Sequence, residues 1–261
     1  MLWRHTDMPR RRHFGSDVLV LGYHAVSDSW TSDLSVSPVA LERQLTTLVR
    51  RGYRGATFLD AMTNSGSGRT VVVTFDDAYR SVAEHALPIL RKLGLPGTVF
   101  VPTRFAEGEQ LASWPGVDMY IEGSHAQELE VMNWEELRSL AALGWEIGSH
   151  TCSHPMLTRL DDDDLIRELA ESRRECERRL GIRCHSLAYP YGDTDARVIA
   201  ATARSGYTAA AGLPPAHRLH RSSRLNWPRI GVFFGDGPMR FEAKISPASR
   251  RLRTSFSRAL P

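Results

Sequence analysis

Short apolar runs alternate with amphipathic segments along most of the chain. The runs predict buried strands, because each is four to ten residues long and is bounded by turn residues. They lie at 17–26, 70–77, 97–103, 145–150, 185–192, 207–212 and 227–234. Between them, apolar residues recur three and four apart, which predicts amphipathic helices. These segments lie at 37–53, 82–94, 133–144, 161–181 and 194–206.

This alternation predicts an α/β protein with a mostly parallel sheet and helices outside it. About seven strands in a chain of 261 residues suit one barrel-like domain better than two domains. We place that domain at residues 17–236, between a basic N-terminal tail (1–16) and a basic C-terminal tail (237–261). Residues 104–132 have no regular pattern and are expected to form an excursion over one end of the barrel.

Much of the excess of basic over acidic residues lies at the two ends of the chain. The formal net charge is only +3, which gives no support for nucleic-acid binding. The basic runs Arg10–Arg12 and Ser249–Arg253 read as solvated tails. The alternative is a peripheral contact with an anionic membrane or polymer surface.

Cysteine content and the N-terminus indicate a cytoplasmic location. Three cysteines are too few for a disulfide framework and suit a reducing compartment. The first residues are charged but have no apolar core typical of a signal peptide. No apolar run approaches the roughly 18 residues that span a bilayer.

Chemically reactive side chains follow several strands at the edge where parallel α/β folds collect their active sites. Asp76 and Asp77 end the strand at 70–77. Successive strand residues face opposite ways, so two aspartates serving one site need a backbone turn. They also need a nearby positive charge, because like charges raise each other's pKa. An N-cap of the next helix would explain one aspartate but not readily two.

His150 and His154 follow a second strand and are four residues apart, so both imidazoles can reach one metal ion. Alone this spacing is weak, and two surface histidines are the alternative. Together with an aspartate it predicts a site of three ligands with open positions, which suits zinc, cobalt, iron or nickel. Such an ion would acidify a water molecule, and the second carboxylate could take its proton.

Three segments resemble the motifs of one family. They are "TFDD" at 74–77, "HTCSH" at 150–154 and "AYPYG" at 188–192. In this order they resemble the polysaccharide deacetylases of the NodB-homology group (carbohydrate esterase family 4), and the similarity runs from about Asp17 to Phe234. The resemblance implies a distorted (β/α)7-like barrel. It also implies hydrolysis of an N-acetyl, or sometimes O-acetyl, group on a sugar.

The resemblance also implies roles for individual residues. Asp77, His150 and His154 would bind the metal, which is zinc or another divalent ion such as cobalt or nickel. Asp76 would be the general base that activates the metal-bound water. Tyr191 would contact the substrate, and its backbone N–H would help to hold the oxyanion of the tetrahedral intermediate.

Two departures from the family pattern change these assignments. Ala188 stands where the third motif commonly has an arginine that pairs with the catalytic aspartate. Arg229 is our candidate for a replacement cation near the substrate. The family's late L-x-x-H motif, whose histidine supplies the general acid, is also not visible after residue 227. However, "LGYHAV" at 21–26 resembles members in which an N-terminal Y-H-x-V segment supplies that histidine. His24 is therefore predicted to be the general acid, and a buried histidine packing the strand end is the alternative.

Tyr23 and Trp227 are predicted to line the acetyl pocket or to stack on a sugar ring, although aromatic residues near strand ends are as often part of the core.

From the motifs together we expect a metal-dependent hydrolase that deacetylates an N-acetylated sugar of an oligosaccharide, a polysaccharide or its precursor. One alternative is a related amidase or esterase on a non-carbohydrate substrate. Another is a catalytically silent sugar-binding homologue, which Ala188 favours and the four intact Asp and His positions oppose.

Overall fold

The computed structural model describes residues 17–64, 68–108, 110–213 and 223–246. The first strands are β1 (Asp17–Tyr23), β2 (Ala25–Val26), β3 (Ser35–Val36), β4 (Arg54–Gly55), β5 (Arg69–Phe75) and β6 (Gly97–Val101). The later strands are β7 (Glu146–Ser149), β8 (Ser186–Ala188), β9 (Ala209–Gly212), β10 (Trp227–Pro228) and β11 (Ile230–Gly231). The helices are α1 (Pro38–Arg50), α2 (Phe58–Thr63), α3 (Leu87–Lys92), α4 (Trp134–Ala142), α5 (Asp162–Leu180), α6 (Ala196–Arg204) and α7 (Pro238–Ile245).

The main sheet is parallel and forms a nearly closed barrel surrounded by helices. Its strands follow the order β10, β9, β8, β7, β6, β5, β1 and β11, and β4 also pairs with β5. β10 pairs with β9 at one edge, and β11 pairs with β1 at the other. Only Arg229 separates β10 from β11, so one short segment joins the two edges. The predicted distorted barrel is confirmed.

Polar caps and prolines fix where the helices begin. Ser37 accepts a hydrogen bond from the N–H of Ala40 at the start of α1, and Asp161 accepts one from Asp164 at the start of α5. Asn133 forms a capping box with Glu136 at the start of α4. The helix predicted at 82–94 begins as a π-helical turn, and Pro88 lies in the first turn of α3.

Two apolar layers lie on opposite faces of the strands. In β1, Leu19 and Leu21 belong to the outer layer, which packs against the helices, whereas Val20 belongs to the layer inside the barrel. The short helix α2 closes the amino-terminal end of the barrel: its first N–H groups donate to Thr98 and Glu146 at the starts of β6 and β7. The candidate functional site lies at the opposite end, where the carboxyl ends of the strands meet.

The segment predicted as an excursion covers part of the carboxyl end of the barrel. It contains three short 3₁₀ turns, at Thr103–Glu107, Asp118–Tyr120 and Ala126–Leu129. Backbone hydrogen bonds tie its far end to the residues that follow β5: the N–H of Arg80 donates to Glu130, and that of Met132 donates to Ala78.

Part of the segment 237–261 is folded onto the domain. α7 lies within it, and its Phe241 and Ile245 are buried in the outer apolar layer. These residues therefore are not a solvated tail. The basic runs Arg10–Arg12 and 249–253 lie outside the described residues. Among the described helices, none combines the length and the hydropathy needed to cross a membrane.

Candidate functional site

Asp76 and Asp77 follow β5 directly, where the backbone leaves the strand. The N–H of Asp76 still donates to the carbonyl of Tyr23, in the manner of the sheet. Asp77 and Ala78 then adopt left-handed conformations, with φ of 66° and 53°. Left-handed backbone is uncommon outside glycine and collects at functional sites. The expected turn at the strand end is therefore present, and both aspartates are buried.

His150 and His154 follow β7 on an irregular turn rather than on a turn of helix. Thr151 and His154 have φ of 67° and 60°. Glu168 of α5 secures the middle of this turn, because its Oε2 accepts hydrogen bonds from the N–H groups of Cys152 and Ser153 at 2.8 and 3.0 Å. The two imidazoles converge, with ring centroids 4.8 Å apart.

Asp77, His150 and His154 together form a cluster that could hold a metal ion. Oδ1 of Asp77 lies 3.5 Å from Nε2 of His150 and 3.4 Å from Nε2 of His154. One ligand atom from each residue lies within 4.8 Å of the others. Nδ1 of His150 is 2.8 Å from the carbonyl of Ala188, so it carries the proton and leaves the lone pair of Nε2 free to bind a metal ion.

The electrostatics of this cluster fit a cation. Oδ1 of Asp77 is buried and has no hydrogen-bond partner within the described parts of the chain. Burial, and then the negative charge of Asp76, raise the pKa of Asp77 well above its ordinary value. Burial lowers the pKa of both His150 and His154, which keeps the imidazoles neutral. One carboxylate and two neutral imidazoles are a donor set that zinc and similar ions accept.

Arg229 lies against Asp76 and supplies the cation that position 188 lacks. Its Nη1 and Nη2 donate to the two oxygens of Asp76, each at 2.7 Å, and Nη1 also donates to the hydroxyl of Thr74 at 3.0 Å. Burial alone would raise the pKa of Asp76, but the charge of Arg229 holds it well below its ordinary value. The Arg229 side chain is fully buried, so it contacts this carboxylate rather than a substrate.

His24 lies on the other side of Asp76. Its Nε2 is 3.9 Å from Oδ2 of Asp76, and Nδ1 is buried with no hydrogen-bond partner from residues 17–64, 68–108, 110–213 or 223–246. Burial lowers the pKa of His24 to about 4, although the charge of Asp76 opposes that shift. The imidazole is therefore neutral at pH 7.

Tyr191 and Trp114 surround His154. Tyr191 has φ of 58°, the residue is 40% exposed, and its ring meets that of His154 edge-on with centroids 4.6 Å apart. Trp114 stacks on the His154 imidazole, with centroids 4.3 Å apart and planes 22° apart. Sequence reasoning missed Trp114, which belongs to no motif. Its one signal was an aromatic residue in the irregular segment 104–132.

Tyr23 and Trp227 are not brought to the cluster in the same way. Tyr23 is fully buried, and its hydroxyl donates to Gln44 at 2.9 Å. That position corrects the prediction of a pocket-lining role, since the ring belongs to the core. Trp227 is half-buried in β10 and packs against the apolar layer inside the barrel.

Comparison with known proteins agrees with this geometry. The family model for polysaccharide deacetylases matches residues 63–210. YxkH of Bacillus subtilis is 23% identical over 210 residues, which cover 78% of this chain and 65% of the relative. The poly-beta-1,6-N-acetyl-D-glucosamine N-deacetylase of Staphylococcus aureus is 24% identical over 216 residues, covering 71% of this chain and 69% of the relative. The chain thus spans just under two thirds of YxkH.

Solved structures show the same fold. The deacetylase PplD of Streptococcus pyogenes, solved with acetate, has a TM-score of 0.72 at 20% identity, covering 89% of this chain and all of PplD. The polysaccharide deacetylase BC0361 of Bacillus cereus has a TM-score of 0.70 at 24% identity, covering 89% of this chain and 70% of BC0361. With the matched family model spanning more than half of the residues, the chain belongs to the polysaccharide deacetylase family.

Proposed function

We propose that the protein removes the acetyl group from an N-acetylated sugar of an oligosaccharide, a polysaccharide or its precursor, with the help of a divalent metal ion. One observation supports this above the others. Two adjacent carboxylates have different partners. Arg229 forms an ion pair with Asp76, whereas Asp77 lies beside two neutral imidazoles. That division provides one ion-binding group and one free base.

Asp77, His150 and His154 would hold the ion. When bound there, a zinc, cobalt or nickel ion would acidify a water molecule and polarise the acetyl carbonyl. The buried, unpaired Oδ1 of Asp77 and the free Nε2 of His150 support this assignment.

Asp76 acts as the general base in this proposal. The two hydrogen bonds from Arg229 keep its carboxylate ionised and fix its orientation. An ionised carboxylate next to the ion site can accept the proton of the attacking water molecule.

His24 delivers a proton to the leaving amine. Because its imidazole is neutral at pH 7, the proton that it gives must first reach it during the reaction. Oδ2 of Asp76 lies 3.9 Å from Nε2 of His24, so a short movement would pass the proton from base to acid. The N–H of Tyr191, on its left-handed turn beside His154, would stabilise the oxyanion.

The relatives suggest the sugar. One is named for poly-beta-1,6-N-acetyl-D-glucosamine, and the chitin deacetylase 1 of Cryptococcus neoformans is 36% identical over 74 residues, or 28% of this chain and 16% of that protein. We therefore propose an N-acetylglucosamine unit as the substrate group. A silent sugar-binding homologue is disfavoured, because Arg229 restores the charge partner that Ala188 lacks.

Acetate release tests the proposal. The full chain would be supplied in turn with zinc, cobalt and nickel and offered N-acetylglucosamine oligomers of different linkage, together with an acetylated non-carbohydrate amide. We expect metal-dependent release from at least one oligomer. Release only from the non-carbohydrate amide would favour the amidase alternative, and no release with bound metal would contradict the proposed activity.

Asp76→Asn is the matched control, because it removes the base and leaves all three proposed ligands. It should bind the ion with an affinity near that of the wild type and lose about 10²- to 10⁴-fold in acetate release. Asp77→Asn, one residue away, should lose both the affinity for the ion and the release of acetate. If Asp76→Asn kept most of the activity, the base would have to be another group.

A further inference from the structure

The two histidines of the cluster are held in different ways. A metal-binding histidine almost always donates its second ring nitrogen to a carboxylate, a carbonyl or water. His150 does so, through Nδ1 and the carbonyl of Ala188. His154 does not: its Nδ1 is buried and finds no hydrogen-bond partner among the residues that the structure describes. Some other contact must therefore set the orientation of the His154 ring.

Aromatic contacts are what the structure provides. The indole of Trp114 stacks on the His154 imidazole, with centroids 4.3 Å apart and planes 22° apart. Tyr191 meets the same imidazole edge-on at 4.6 Å. One stacked ring and one edge-on ring together leave the imidazole little room to tilt or to shift.

Trp114 is itself firmly placed. Only 6% of it is exposed, and Phe105 packs edge-on against it with centroids 5.1 Å apart. Its carbonyl accepts hydrogen bonds from the N–H groups of Val117 and Asp118. The next residue is tied to the site as well, since the hydroxyl of Tyr191 donates to the carbonyl of Pro115 at 3.1 Å. Trp114 is thus a fixed surface rather than a loose cover.

We propose that Trp114 is a positioning residue for the proposed ion site: its indole holds the His154 ring in the orientation that presents Nε2 to the ion. The inference rests on the proposed ligand role of His154. It assigns a function to the irregular segment 104–132, which would carry part of the ion site without supplying a ligand.

Zinc affinity of metal-depleted full-length variants, measured by competition with a chelating indicator, tests this role. Trp114→Leu keeps an apolar cover but removes the ring stack, and it should bind zinc about 10- to 100-fold more weakly. Trp114→Phe keeps an aromatic ring and should recover most of the affinity. Both variants should be folded by circular dichroism before they are compared.

Trp145, immediately before β7, offers a matched control outside the cluster of Asp77, His150 and His154. It is also 6% exposed and stacks on an aromatic ring, that of Phe75, with centroids 5.8 Å apart. Trp145→Leu should lower the melting temperature and leave zinc affinity within about threefold of the wild type. If Trp145→Leu and Trp114→Leu lost similar amounts of zinc affinity, the loss would be explained by general destabilisation, and the inference would be overturned.

A second readout does not depend on affinity. Cobalt quenches nearby tryptophan fluorescence, so Trp114→Phe should lose most of the cobalt-induced quenching, and Trp145→Phe should retain it. Wild-type zinc affinity in Trp114→Leu would overturn the positioning role even if acetate release were confirmed. Weaker zinc binding in that variant, in a protein that releases no acetate, would support the role while contradicting the proposed activity. A wild type that bound no divalent metal would overturn both.

Discussion

At the scale of single residues, two neighbouring aspartates have opposite pKa shifts. Burial acts on both in the same direction, but Asp76 has a bidentate arginine and Asp77 has none. Chemical identity and sequence position therefore do not determine their roles. The partner that each side chain finds in the folded barrel does.

Arg229→Gln tests this dependence on a partner. A depressed pKa in the folded state adds stability above the unfolded pKa of aspartate, and that stability is lost as the pH falls through the folded value. Without the guanidinium, burial should raise the pKa of Asp76, so acetate release should begin to fail at a higher pH on the acid side. Leaving a buried charge unpaired should also cost about 3–5 kcal/mol of unfolding free energy.

Arg240→Gln is the control for that experiment. Arg240 also pairs with an aspartate, Asp236, but its side chain is 66% exposed. A pair with one exposed partner contributes little, and we expect a change below about 1 kcal/mol and an unchanged pH profile of acetate release. Equal pH profiles for the two variants would show that Arg229 does not tune Asp76.

His24→Gln should alter how stability depends on pH. Burial lowers the pKa of His24 to about 4, so between the unfolded pKa of about 6.5 and that value only the unfolded chain takes up this proton. Stability therefore falls as the pH falls through this window, by up to about 1.4 kcal/mol per pH unit from this group. Glutamine cannot titrate, so the variant should show a shallower acid slope in urea unfolding of metal-free protein.

The slope is compared between variants because His150 and His154 also have lowered pKa values and contribute in both proteins. Identical slopes would mean that the pKa of His24 is not lowered on folding, which would contradict the effect ascribed to its burial.

At the scale of elements, the side chain of Glu168 connects α5 to the site. Glu168 accepts hydrogen bonds from the N–H groups of Cys152 and Ser153 and from the Ser153 hydroxyl, all between the two proposed histidine ligands. Glu168→Ala should free this turn and weaken zinc binding by about tenfold, as expected for a group that orients ligands.

Glu171 provides the comparison on the same helix. Its side chain is exposed and it shares the charge of Glu168. Glu171→Ala should leave zinc affinity unchanged in the same competition assay. Equal affinities in the two variants would indicate that the turn holds its shape without α5.

Most of the regular elements could be predicted from the sequence, because hydrophobic periodicity and caps such as Asn133 and Asp161 are local signals. The elements β4 and α2 were missed, since two and six residues are too short to show a period. The convergence of His150 and His154 was expected from helical spacing, but left-handed residues at 151 and 154 produce it instead. In residues other than glycine such conformations have only a weak signal, an enrichment of Asn, Asp and His.

At the scale of the whole molecule, ion binding should stabilise the fold, since the cluster draws ligands from the ends of two strands, β5 and β7. A ligand bound only by the folded state adds about 2.7 kcal/mol when its concentration is 100 times the dissociation constant. Treatment with a chelator should therefore lower the melting temperature, and zinc should restore it. In the double variant His150→Ala, His154→Ala the chelator should have no effect.

The barrel could be predicted from strand and helix alternation and from the family resemblance, whereas its closure could not. The segment 227–234 reads as one strand, but in the structure it divides into β10 and β11 on opposite edges of the sheet. Only the assembled molecule brings those edges together. The pairing of Arg229 with Asp76 across 153 positions is fixed by the same closure.

The position of Arg229 between β10 and β11 affects the order in which the site is assembled. Residues 227–231 are the last part of the barrel to be synthesised, so Asp76 exists in a partly assembled protein before its arginine does. Burial without that arginine would favour a protonated, inactive Asp76. The proposed base is therefore complete only when the final strands dock and bring Arg229 to Asp76.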